Sequence, residues 1–214
     1  LRDVYKRQAA RRAIVEMERT GAFHRDTLVM QVSSGSGWLN NYGISAYEFL
    51  TGGACATVAV QYSYLPSGIA YVMERDIPVA ATKELLHAIM IRLKDMPEEN
   101  RPKFYLAGES LGAYGILDNF ADITDLYEVC DGAVFTGPPR ITKLTRKLAL
   151  SRQRGSLERM PLIDDGRHTR FCIAPAHLRH DAFGNSYKNT WESPRVVIAQ
   201  HASDPIVFWD KNLA

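Results

Sequence analysis

The chain has 214 residues and a mass of 24.0 kDa, enough for one well-buried core, and no break in composition marks a second domain. Its net charge is +2, with the basic residues scattered or confined to 146–154, so there is no continuous phosphate-binding stripe and nucleic acid is not an expected partner. Cys55, Cys130 and Cys172 are odd in number and far apart, without CxxC spacing or histidines at ligand intervals; they read as buried free thiols, with no metal site and no cofactor expected.

Residues 1–8, "LRDVYKRQ", carry little weight, being a polar, basic junction of the kind that can be foreign to a protein. From residue 9 a single domain is expected. In "AARRAIVEMERT" (9–20) apolar residues recur at helical intervals and Gly21 follows as a stop. "TLVMQV" (27–32) is a continuous apolar run that breaks into "SSGSGW", as for a buried strand feeding a glycine-rich loop. A short helix is predicted over 43–51, a second strand over 56–62 and a long surface-covering helix over 79–96. A third strand over 103–108 leads to a helix from Leu111 to about Phe120, and a fourth strand over 132–137 is stopped by Pro138-Pro139.

Residues 140–194 are polar, mixed and short of strand signals, and read as an insertion or cap region; a fifth strand follows at 195–200. No window is long and apolar enough to span a bilayer, and no signal peptide is present, so the chain is expected to be soluble. It starts without methionine and stops soon after a strand-like run, which reads as a fragment. Strands apolar on both faces, alternating with helices, predict an α/β fold: a mostly parallel sheet with helices on both sides.

The chemistry concentrates at "KFYLAGESLGAYG" (103–115). Gly108 and Gly112 stand two residues either side of Ser110, between a convincing strand and a helix. That is the spacing a nucleophile elbow requires, because side chains at the two flanking positions would collide with the turn. The alternatives fail on their own terms: there is no G-x-G-x-x-G, and no lysine follows the last glycine as a phosphate loop demands.

A serine nucleophile needs oxyanion donors, an acid and a base. The backbone N–H of Leu111 is the first donor, and the 33–38 loop, with Ser36 as candidate, should supply the second. Asp204, in the loop after the last strand, is the candidate acid; the Ser203-Asp204-Pro205 run is equally a good helix start. Asp164, Asp165 and Asp181 follow no convincing strand. The base is missing: His201 precedes the acid, His168, His177 and His180 fall in the 140–194 region, and His24 and His87 read as surface residues. In this architecture the histidine follows one more strand, so it is expected beyond residue 214. Tyr62, Tyr64, Leu65, Pro66, Pro138, Pro139 and Trp209 follow strands and form a plausible apolar rim, with Tyr62, Tyr64 and Pro138 as substrate-binding candidates; the same aromatics could equally pack the sheet's upper edge.

The stretches "GAFHRDTLVMQVSSGSGWLN", "VAVQYSYLPSGIAYVMER", "RPKFYLAGESLGAYG", "DGAVFTGPPR" and "PRVVIAQHASDPIVFW" resemble the alpha/beta-hydrolase catalytic domain of a bacterial membrane-protein family, in which a multi-span region precedes the hydrolase. The resemblance runs from about residue 9 to the end. It implies a serine esterase or lipase with Ser110 as nucleophile, Asp204 as acid and a histidine not reached by this chain, the C-terminal strand and helix of the fold being truncated. It also implies a small-molecule acyl ester or lipid substrate, and membrane association only through an N-terminal region absent here. The competing expectation is a catalytically idle hydrolase fold serving as a binding or scaffold module of a membrane protein.

Overall fold

The computed structural model describes residues 2–35 and 37–208. In chain order the elements are α1 (Arg2–Arg19), β1 (Thr27–Val32), α2 (Asn41–Leu50), β2 (Cys55–Val58), α3 (Ser67–Met73), α4 (Asp76–Lys94), β3 (Lys103–Glu109), α5 (Leu111–Leu117), α6 (Ile123–Tyr127), β4 (Gly132–Thr136), α7 (Lys143–Leu150), β5 (Thr169–Cys172), β6 (Arg195–Ala199) and α8 (Pro205–Phe208). The six strands form one parallel sheet in the order β2-β1-β3-β4-β6-β5.

That order fixes where the helices lie. The chain steps from β1 outward to β2 and then back across β1 to β3. Right-handed crossovers taken in opposite directions place their helices on opposite faces. α4 and α5 accordingly cover one face together with α1, and α2 lies over the other. The covered face carries the core: Leu28, Met30, Phe104, Leu106, Phe135, Val196 and Ile198 are buried there against Leu85, Ile89, Ile116 and Leu117 of α4 and α5. The second face is more open. Val29, Tyr105, Val134 and Val197 line a cleft of about 370 Å³ between α2, through Tyr47 and Leu50, and Trp191.

Four predicted strands stand at their expected places, but β2 ends at Val58 rather than running to residue 62. α1 ends on Gly21, whose φ of 71° suits the left-handed stop. The unexpected strand is β5, inside the polar 140–194 segment. This segment feeds the core as well: Leu144 and Leu148 of α7 and Phe171 of β5 are buried in it.

The segment is organised around a cation. Arg170 is 6% exposed, donates to the carbonyls of Gly166 (2.8 Å), Leu178 (2.5 Å) and Asn189 (3.3 Å), and lies against the rings of Tyr187 and Trp191 at 4.1 and 4.8 Å. Among the described residues no carboxylate forms an ion pair with it. Carbonyl dipoles and π faces replace water instead. Arg170→Met removes the donors of three carbonyls, one buried and two part-buried, and is expected to lower stability by about 2–4 kcal/mol, with Arg170→Lys recovering little because an ammonium cannot span the same fork. Urea unfolding of the two variants measures this.

Cys130 is buried, and burial pushes its thiol up to about 12. Cys55 and Cys172 are only half-buried, a correction to the expectation of three buried thiols; all three are free.

Candidate active site

β3 and α5 meet at Ser110, whose backbone stands at φ 52°, ψ −117°. A side-chain-bearing residue avoids this region, at a strain of about 1–3 kcal/mol, unless its surroundings leave no alternative. The two glycines supply that constraint. A Cβ on Gly108 would lie 2.7 Å from the Ala113 nitrogen, and one on Gly112 would lie 2.1 Å from the Val32 carbonyl oxygen and 3.0 Å from that of Ser33. The start of α5 is therefore pressed onto β3 from one side and onto the end of β1 from the other. Hydrogen bonds from the Ser110 N–H to Thr136 (2.8 Å) and from the Tyr114 N–H to Ser110 (3.0 Å) hold the turn between them. The Ser110 side chain stays half-exposed, and among the described residues nothing hydrogen-bonds its hydroxyl.

The place matters as much as the turn. β1 sends its chain to α2 on one face and β3 sends its chain to α5 on the other, so a crevice opens between their C-terminal ends. Ser110 sits at that switch point. The Leu111 N–H belongs to the first turn of α5, where amides have no intrahelical partner. The Leu111 side chain is buried against Ala70, Tyr114, Tyr62 and Leu65.

Ser36, the candidate for the second donor, lies outside the described residues. Its neighbours place the loop beside the elbow: Gly112 touches Ser33, the Gly37 N–H donates to Ser34 (2.9 Å), and the Asn40 side-chain amide donates to Glu109 (3.5 Å), next to Ser110. Ser33 is 2% exposed with its hydroxyl unpartnered, and the buried Gln31 leaves Oε1 unpartnered one turn of the pleat below. Neither residue was singled out in the sequence, where a serine and a glutamine in an uncharged run carry no distinguishing spacing.

Asp204 follows β6 at the same end of the sheet. Its Oδ2 lies 3.6 Å from the point a Cβ on Gly137 would occupy, above the end of β4, the strand next to β3. Its Oδ1 accepts the Ile206 N–H at 2.9 Å, so it also caps α8. The two roles read from the sequence are compatible in one side chain.

No histidine joins Ser110 among the described residues. His201 is exposed and turned to Ser203, with Nδ1 2.9 Å from that hydroxyl; His177 Nδ1 accepts the N–H of Ala174 (3.1 Å) beyond β5; His168 Nδ1 meets the Glu192 carbonyl at 3.2 Å. His201 follows β6, two strands from β3, and His177 follows β5, three strands away. Around the mouth, Tyr64 is 91% exposed, Pro138 is buried, and Tyr62 is half-buried with its hydroxyl unpartnered and its titration pushed up by burial. Trp209 lies outside the described residues. The described residues hold no group of three or more His, Cys, Asp or Glu side chains able to bind a metal ion, and no helix among them is long and apolar enough to cross a membrane.

An alpha/beta-hydrolase family model matches residues 2–214. The chain belongs to that family. A search of curated proteins returns no match for this hydrolase. Two solved structures of acetylxylan esterase resemble it. The first is 13% identical over 86% of this chain and 85% of the other, with a TM-score of 0.43; the second, an iodinated complex, is 12% identical over 85% of each chain, with a TM-score of 0.44. Nothing about the chemistry of this hydrolase follows from likeness at that level.

Proposed function

We propose that this member of the alpha/beta-hydrolase family is a serine hydrolase that cleaves acyl esters through an acyl-enzyme on Ser110. One observation carries the reading: a serine held at positive φ between two glycines that admit no Cβ, at the switch point of a parallel sheet. Holding a serine in that conformation is unfavourable for folding and useful for presenting a hydroxyl.

In the proposed reaction the Ser110 hydroxyl attacks the ester carbonyl while a histidine takes its proton, forming a tetrahedral oxyanion. The Leu111 N–H and an amide of the 33–38 loop donate hydrogen bonds to that oxyanion. Collapse expels the alcohol with the returned proton, leaving an ester on Ser110. Water, activated by the same histidine, then releases the acid. Asp204 orients the histidine and stabilises its charged form. Apolar groups beside Leu111, Tyr62 and Leu65 among them, suit the acyl part of such a substrate.

An acyl-enzyme has a kinetic signature. With p-nitrophenyl esters, rapid mixing should give a burst of nitrophenol stoichiometric with protein, followed by slower turnover. A strictly linear time course with no adduct on Ser110 would contradict the mechanism.

Asp204 can be tested apart from its capping role. Asparagine caps helices as well as aspartate does but carries no charge. Asp204→Asn is expected to leave thermal unfolding unchanged and to lower kcat by about 10²–10⁴. Equal activity of the variant would reduce Asp204 to a helix cap.

A further inference from the structure

We infer that the mouth beside Ser110 docks on an electrically neutral lipid–water interface, so that the esters this protein meets are long-chain and aggregated. The inference rests on the proposed ester hydrolysis for its substrate, but its surface argument is separate.

The two segments that border the elbow carry no charge for long distances. From Thr27 to Tyr47 and from Thr51 to Met73 there is no Asp, Glu, Lys, Arg or His, in a chain where 23% of residues are charged. Burial explains this for β1 and β2. It does not explain it for the loops and α3, which are at the surface. There Tyr64 is 91% exposed, Ile69 47%, Val72 68%, Met73 73% and, on the first segment, Trp38 60%.

α3 makes the point sharply. Its buried side chain is the small Ala70, while Ile69, Val72 and Met73 follow the i, i+3, i+4 pattern on the face turned to solvent. An ordinary surface helix does the reverse. The first charges after the uncharged run are drawn away from this face: Glu74 takes a 2.6 Å hydrogen bond from the Ser63 hydroxyl, and Arg75 donates to the Tyr71 carbonyl at 3.0 Å with its guanidinium over the Tyr71 ring.

The surface is continuous with the site. A Cβ on Gly35 would stand 2.6 Å from the Ser67 Cα, so the loop after β1 lies directly on the start of α3; Ala70 and Leu65 pack on Leu111, the residue after the candidate nucleophile. Exposed aliphatic side chains mixed with Trp and Tyr suit the boundary between acyl chains and headgroups. Neutral polysaccharide would share the lack of charge and could stack its C–H faces on Trp38 and Tyr64, but the flexible aliphatic side chains of Ile69, Val72 and Met73 match acyl chains and not flat sugar rings. No cation lies within 27–47 or 51–73, and Arg75 just beyond them is held on Tyr71, which sets the patch apart from polybasic surfaces that seek anionic lipid.

The test uses phosphatidylcholine vesicles and two variants, Val72→Gln/Met73→Gln and Ile69→Gln. Glutamine is a good helix former and leaves the surface charge unchanged. The parent protein is expected to co-sediment with vesicles equally at low and at high salt, with the double variant losing about tenfold or more in binding. Both variants should hydrolyse a water-soluble acetate ester at the parental rate while losing activity on emulsified long-chain esters. A parent that stays in the supernatant, or variants that bind and hydrolyse emulsions as the parent does, would overturn the docking inference. If vesicle binding behaves as described but no ester is cleaved by any form, the docking surface stands and the hydrolase reading falls.

Discussion

Replacing Ser110 with alanine is expected to lower ester hydrolysis by about 10³-fold or more with little change in folding. The side chain is half-exposed and its hydroxyl engages no neighbour among the described residues, so its removal breaks no packing and orphans no partner. What it removes is the atom that forms the covalent intermediate. Any activity left would come from the oxyanion donors and binding alone, which act on water attack without a nucleophile. Ser110→Gly sharpens the same point from the side of stability. At φ 52°, ψ −117° a glycine escapes strain that any Cβ imposes. It should therefore be inactive and yet unfold about 2–4 °C higher, corresponding to about 1 kcal/mol in a domain of this size. A serine retained where glycine is more stable is what a functional site predicts.

The largest effect on folding should come from Gly112→Ala. The added Cβ would meet the Val32 oxygen at 2.1 Å, the Val32 carbonyl carbon at 2.9 Å and the Ser33 oxygen at 3.0 Å. All three are backbone atoms of β1 and its loop, so no rotamer change relieves the clash. α5 would have to lift from the centre of the sheet, taking Ala113, Ile116 and Leu117 out of the core. A loss of about 4 kcal/mol or more is expected, a large share of the roughly 5–15 kcal/mol that holds a typical domain folded. Gly68→Ala is the contrast. It stands in α3 with nothing within 4 Å of its added Cβ and should be neutral or stabilising by up to about 1 kcal/mol. Thermal unfolding followed by circular dichroism separates the two.

The sequence shows the central sheet because its strands are apolar on both faces, although Tyr105 and Val134 stay exposed on the more open one. β1, β3, β4 and β6 are continuous runs of that kind, and they include the strand that ends at Ser110. The elbow is legible for a related reason: its two glycines are demanded by local backbone geometry, within five residues of each other. β5 is not legible, because half of it is polar. Thr169 is buried on the hydroxyl of Tyr127 (2.6 Å) and Arg170 on three carbonyls, partners 4 to 42 residues away that no local pattern announces. α3 escapes detection because its seven residues, SGIAYVM, have no charged face against which an apolar period stands out and no side-chain cap marks its start.

Asp204 occupies an intermediate case. Its position after a late strand and its capping run are both visible in the sequence, and nothing short of the three-dimensional arrangement shows that one side chain meets Ile206 and approaches Gly137 together. The base is the part that the described contacts do not supply: His168, His177 and His201 each turn a ring nitrogen to a partner other than Ser110.

The central claim is that Ser110 is a nucleophile, and active-site labelling reaches it most directly. The full-length protein is treated with a fluorophosphonate, which forms a stable adduct on an activated serine, and the modified peptide is identified by mass spectrometry. The account predicts a single adduct on Ser110, absent from Ser110→Ala. No adduct on the parent protein, or equal labelling of the two, would contradict it.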